Sequence, residues 1–179
     1  MPRKYVYITD ARNQQLDIPE ITASGKATCN IYVKTTPASD KYVAAGLIET
    51  NQLFQVTKTT PINGHYQIYF KQGLYYVNAR YVNLRFSDEN KPTMQYNAVV
   101  TADDPVDITS QANASASVEG AVKKGAMLQV VKKNAGSGYS QVWFNSKKCY
   151  IPTKYLGGFE DYYSLADIKK LGKPKGKLV

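Results

Sequence analysis

Apolar and polar residues alternate with a period of two through most of this chain, the spacing of strands that bury one face. Phe54 and Val56 alternate with Leu53 and Gln55, and Ile68 and Phe70 with Gln67 and Tyr69; Leu128, Val130, Val142 and Phe144 repeat the pattern further on. Turn-forming residues punctuate the runs at Pro61-Ile62-Asn63-Gly64, Lys71-Gln72-Gly73, Asn134-Ala135-Gly136-Ser137-Gly138 and Asn145-Ser146-Lys147. Short strands at these intervals predict an antiparallel barrel whose core is the alternating apolar set.

The pattern occurs twice. Sliding residues 46–82 by 74 positions onto 120–156 without a gap gives nine identities, among them Gly46/Gly120, Gln55/Gln129, Val56/Val130, Phe70/Phe144, Tyr76/Tyr150 and Tyr81/Tyr155. Pairs such as Ile68/Val142, Tyr69/Trp143 and Arg80/Lys154 are similar in kind. Allowing one residue fewer brings Ile31-Tyr32-Val33 against Val106-Asp107-Ile108, so each copy covers roughly 55 residues. Two copies of that size are too few and too long for a solenoid and predict two units that each close their own sheet.

Outside the copies, Tyr5–Thr9 and Asn97–Thr101 read as extra strands, and 87–93 as a polar linker. Ser164-Leu165-Ala166-Asp167 has capping-box spacing, and Leu165, Ile168 and Leu171 follow on one side of a short helix that is expected to face a barrel. Lys173, Lys175 and Lys177 around Pro174 read as a solvated tail. The expected organisation is an N-terminal segment with an extra strand (1–24), a first barrel (25–86), a linker with an extra strand (87–102), a second barrel (103–158), and a short helix with a basic tail (159–179). The fold class is all-β.

Composition sharpens the picture. Fifteen Tyr against five Phe and one Trp suit half-buried strand surfaces where one end of the ring stays wet. A net charge of +9 favours polyanionic surroundings: nucleic acid, anionic lipid or an acidic cell wall. No apolar run reaches the roughly 20 residues that span a bilayer, and the chain opens without a basic, apolar leader. Cys29 and Cys149 lack metal or redox spacing; a bridge between them and two buried thiols are both compatible with the sequence.

The two copies resemble the bacterial Src-homology-3 family (SH3b). In the first, Val33-Lys34-Thr35-Thr36-Pro37-Ala38 stands for the family's opening motif, Gly64-His65-Tyr66-Gln67-Ile68 for its central strand, and Tyr75-Tyr76-Val77-Asn78-Ala79-Arg80-Tyr81-Val82 for its closing motif. In the second, Gly138-Tyr139-Ser140-Gln141-Val142 and Cys149-Tyr150-Ile151-Pro152-Thr153-Lys154-Tyr155-Leu156 take the latter two places. His65 and Tyr139 stand where the family usually has Trp, and Tyr75 and Cys149 where it has Gly. The resemblance implies two tandem SH3-like barrels in a secreted or cell-surface bacterial protein that binds cell-wall peptide, peptidoglycan or a protein partner.

The chemistry of the residues points the same way. His65 is the lone histidine, so neither a Cys-His-His peptidase site nor a multi-His metal site assembles in the usual way, and it is expected at a surface or groove. The carboxylate pairs Asp88/Glu89, Asp103/Asp104 and Glu160/Asp161 sit in polar connections and read as solvated charge. The expectation is a non-enzymatic binding module without metal or cofactor. Its candidate ligand-binding residues are Lys34, Thr35, Tyr66, Tyr69, Tyr76 and Tyr81 in the first copy and Tyr139, Trp143, Tyr150 and Tyr155 in the second. The same rings equally suit simple packing between copies. A nucleic-acid-binding tandem barrel is the alternative, although the lysines are dispersed over turns and tail.

Overall fold

The computed structural model describes residues 6–9, 15–38, 46–86 and 91–162. It is all-β and antiparallel. A hairpin of β1 (Val6–Thr9) and β2 (Gln15–Ile18) comes first. The first unit follows with β3 (Ala23–Ala27), β4 (Ile31–Val33), β5 (Gly46–Ile48), β6 (Leu53–Ile62), β7 (His65–Phe70), β8 (Gly73–Asn78), a 3-10 turn over Ala79–Tyr81 and β9 (Val82–Arg85). The second repeats it with β10 (Tyr96–Val100), β11 (Val106–Thr109), β12 (Val118–Val122), β13 (Met127–Gly136), β14 (Tyr139–Phe144), β15 (Lys147–Pro152), a 3-10 turn over Thr153–Tyr155 and β16 (Leu156–Asp161).

The strand order is the same in both. In the second unit it runs β12-β11-β15-β14-β13-β10-β16. In the first it runs β8-β7-β6-β3-β9, and a bridge between Lys34 and Tyr76 ties β4 and β5 to β8 where Thr109 pairs with Tyr150 in the second. The strand expected over 97–101 is β10, and it lies inside the second sheet between β13 and β16, as β3 lies between β6 and β9. The folded repeat thus begins one strand earlier than the sequence match, because Ala-Ser-Gly-Lys-Ala and Tyr-Asn-Ala-Val-Val share almost nothing in side chain. The predicted helix over 164–171 and the basic tail lie outside the described residues.

Each unit encloses its own apolar cluster, and the two share no residue. Val56, Ile68, Val77 and Val82 are fully buried in the first, and Val130, Val142, Ile151 and Phe144 in the second. Each such side chain contributes about 1.5–3 kcal/mol by leaving water. Cys29 and Cys149 are free, buried thiols, one in each unit. Phe70 departs from the expected core: it is half-buried, whereas its counterpart Phe144 is sealed.

That difference comes from the junction, where β12 packs on the 3-10 turn of the first unit. The Asn145-Ser146 turn covers the edge of β9. Asn145 Oδ1 accepts from the Leu84 amide at 2.8 Å, Ser146 Oγ accepts from the Phe86 amide at 2.8 Å, and the Asn145 amide donates to Asn83 Oδ1 at 2.7 Å. Thr28 Oγ1 donates to Ala121 O at 2.7 Å, and the Asn51 side chain bonds Gly125 O and the Met127 amide. Sheet edges expose unpaired amides, and here one unit's turn satisfies the other's.

Candidate functional site

A cleft of about 460 Å³ lies on the second unit. One side is the connection from β10 to β11, with Asp103, Asp104 and Pro105, and the start of β11 with Asp107. The other is formed by Tyr139 at the start of β14, Pro152 at the end of β15 and Tyr155 from the 3-10 turn. Tight turns set these rings. Ser137 and Gly138 both take positive φ, which closes the hairpin immediately before Tyr139. The Thr153 amide donates to Gly138 O at 2.8 Å and Ser140 Oγ shares a 2.8 Å hydrogen bond with Thr153 Oγ1, so the turn bearing Tyr155 is fastened to the hairpin bearing Tyr139. At the root of the following loop, Thr109 Oγ1 donates to Gln111 O at 2.8 Å.

A second depression of about 440 Å³ shares Tyr139 and Pro152 with the first and continues past Thr153 to Lys154. The two thus adjoin as a groove with Tyr139 and Pro152 between them, carboxylates lining the first depression and the Lys154 ammonium the second. Lys124 Nζ bonds Asp103 at 2.7 Å, and that hydrogen bond and charge hold the Asp103 carboxyl below its ordinary range. Arg80 reaches from the first unit to Asp107 at 2.9 Å. Lys154 Nζ lies 4.8 Å from the centre of the Tyr155 ring.

Of the ten residues singled out from sequence, Tyr139 and Tyr155 meet in this groove. The Tyr150 hydroxyl accepts from Gln141 Nε2 at 2.9 Å, and Tyr76 does the same with Gln67 at 3.1 Å. Tyr66 is buried in the first core, and burial raises its phenol pKa. Lys34 is buried as well, its Nζ 3.2 Å from His65 Nε2, while Thr35 is exposed. His65 itself is buried and not at a surface, with Nδ1 2.7 Å from Asn63 O and Nε2 toward Lys34. Tyr81 packs against the first core with Lys123 of the second unit 5.2 Å above its ring. Trp143 faces Lys26, Asn83 and Arg85 across the junction, where burial and Arg85 lower the Lys26 pKa. Tyr69, at the equivalent place in the first unit, shares an outer face with Gln55 and Leu74.

The sequence reading passed over Asp104, Asp107 and Pro152 as site residues and took Asp103 and Asp104 for linker charge. One signal was available. The chain from β10 to β11 is two residues longer than that from β3 to β4, and Asp103, Asp104 and Pro105 occupy that longer connection.

Among the described residues no cluster of His, Cys, Asp and Glu has the makings of a metal site, and no helix is long and apolar enough to cross a membrane. No protein-family model matches the chain, and no curated protein does. Among solved structures, NlpC2 and NlpC1 from Trichomonas vaginalis align with 75% of this chain, at 11% and 9% identity and TM-scores of 0.32 and 0.31. The chain covers 47% and 45% of those two, under half of their length, and a likeness this loose transfers neither fold nor activity.

Proposed function

We propose that the chain is a non-enzymatic binding module of the bacterial SH3-like class, part of a secreted or cell-surface protein, and that the groove of its second unit holds a cell-wall peptide or a comparable extended peptide. The observation that carries this reading is the pair of adjoining depressions that share Tyr139 and Pro152, with Tyr155 lining the first. Shallow aromatic grooves take extended chains, and the lining here differs in charge: Asp104, beside the ion-paired Asp103 and Asp107, suits an amino group, Lys154 a carboxylate. The reading without catalysis is supported by the state of the available groups. Asp103 is held ionised by Lys124 and makes a poor general acid, and both thiols are buried with raised pKa values, that of Cys149 to about 12.

Titration calorimetry with purified peptidoglycan stem peptides tests the proposal. Truncating an aromatic anchor typically costs about 2 kcal/mol, so Tyr139→Ala and Tyr155→Ala are each expected to weaken binding per folded molecule roughly thirtyfold, with the melting temperature preserved for Tyr139→Ala and lowered for Tyr155→Ala, whose ring also packs against the second core. Unchanged affinity in both variants overturns the site. Binding to an oligonucleotide with a steep loss in salt, and none to wall peptide, turns the assignment to nucleic acid.

A further inference from the structure

The junction joins two different surfaces of one repeated unit, so each unit has both, and among the described residues each keeps one uncovered. The second unit docks with the outer face of β13 and β14 and its Asn145-Ser146 turn; the first receives them on β9. The corresponding docking face of the first unit is exposed. Leu53 is 56% exposed, Leu47 39% and Leu74 45%, and Phe70 is half-buried where Phe144 is sealed. The Lys71-Gln72 turn, left-handed at both residues like Asn145-Ser146, joins β7 to β8 beside them. The corresponding receiving face of the second unit, β16, is the edge strand of its sheet among the described residues. Its Glu160 pairs with Asn97 as Arg85 of β9 pairs with Ser24, and Glu160 and Asp161 are both exposed.

We infer that this chain binds a second copy of itself head to tail, the Leu53–Tyr69–Leu74 face and Lys71-Gln72 turn of one copy seated on the β16 edge of the next. Charge singles out this partner. Where the internal junction has an uncharged turn on a basic strand, the two open faces bring Lys71 to Glu160 and Asp161. The register shift in the β10–β16 pairing, where Asn97 and Val99 face Glu160 and Gly157, puts an extra residue into β16 and keeps strands from simply adding along the edge, which favours capping by a turn over open-ended sheet growth. The contact is heterologous, so association continues beyond a dimer unless the geometry closes a ring.

Sedimentation velocity on the full chain, up to several hundred micromolar, is the test. The wild type is expected to associate reversibly, less so in high salt. K71E and the double variant E160K/D161K are each expected to weaken association at least about tenfold, since each places like charges together. Mixing the two restores one wild-type pairing and should recover assembly. A wild type that stays monomeric over the whole range, variants that associate as it does, or a mixture no better than its components would each overturn the inference. Circular dichroism confirms that the variants are folded.

Discussion

Replacing Asn145 by alanine tests the junction at its tightest point. Its Oδ1 holds the Leu84 amide at 2.8 Å, its Nδ2 donates to Glu119 O at 3.3 Å, and its own φ is 50°. Alanine leaves the partly buried Leu84 amide without its partner, which costs about 1–3 kcal/mol. It must also adopt a left-handed backbone that asparagine tolerates, at about 1 kcal/mol more. A total near 3 kcal/mol lowers the melting temperature of a chain this size by roughly 6–12 °C. Asn145→Gly separates the two causes: glycine loses the hydrogen bond but accepts the backbone, so it should melt about 2–4 °C above the alanine variant. Calorimetry on both, with urea midpoints as a check, reads the difference. An alanine variant within 2 °C of wild type, or one no worse than glycine, refutes the argument.

Gly120→Ala should cost about 1–3 kcal/mol, because the new Cβ would stand 2.7 Å from the sealed Phe144 ring and 3.2 Å from the Arg80 carbonyl of the other unit. Gly46→Ala, its counterpart, meets only the Phe70 ring and the Lys71 ammonium on an open face and should cost less in a thermal melt. Trp143→Ala should loosen the junction, lowering the melting temperature while leaving peptide affinity per folded molecule intact. Neither thiol should react with a maleimide in the native protein, and both should in denaturant, giving two adducts by mass without prior reduction. Because the folded Cys149 pKa, about 12, lies above its ordinary value of 9.0, its contribution to stability is complete below pH 9 and is lost as pH rises toward 12. Comparing alkaline urea midpoints of wild type and Cys149→Ser measures that slope.

The duplication was legible because the gapless slide by 74 maps β6 on β13, β7 on β14 and β8 on β15 residue for residue. The core was legible from the alternation of Phe54, Val56, Ile68, Leu128, Val130 and Val142, all buried. Strand β10 was visible as a strand but not as a member of the repeat, since pairing partners are set by tertiary contact and its residues resemble those of β3 too little. Period two also told correctly that Trp143 leaves its own core. What it could not tell is that another unit meets that face, nor that Tyr66 and His65, consecutive residues on one strand, would both be buried. The groove needed the opposite kind of information: its acidic wall comes from a connection with no periodicity at all.

The cap on β9 also imposes an order in time. Asn145 lies 61 residues beyond Leu84, so at a synthesis rate of about 5–20 residues per second the first unit waits roughly 3–12 s for its edge to be covered. During that interval the β9 edge of the nascent chain lacks its cap, the state in which a strand is most open to pairing with a neighbour on the same message. Codon choice across the second unit, which sets the length of the wait, would therefore bear on yield more than codon choice across the first.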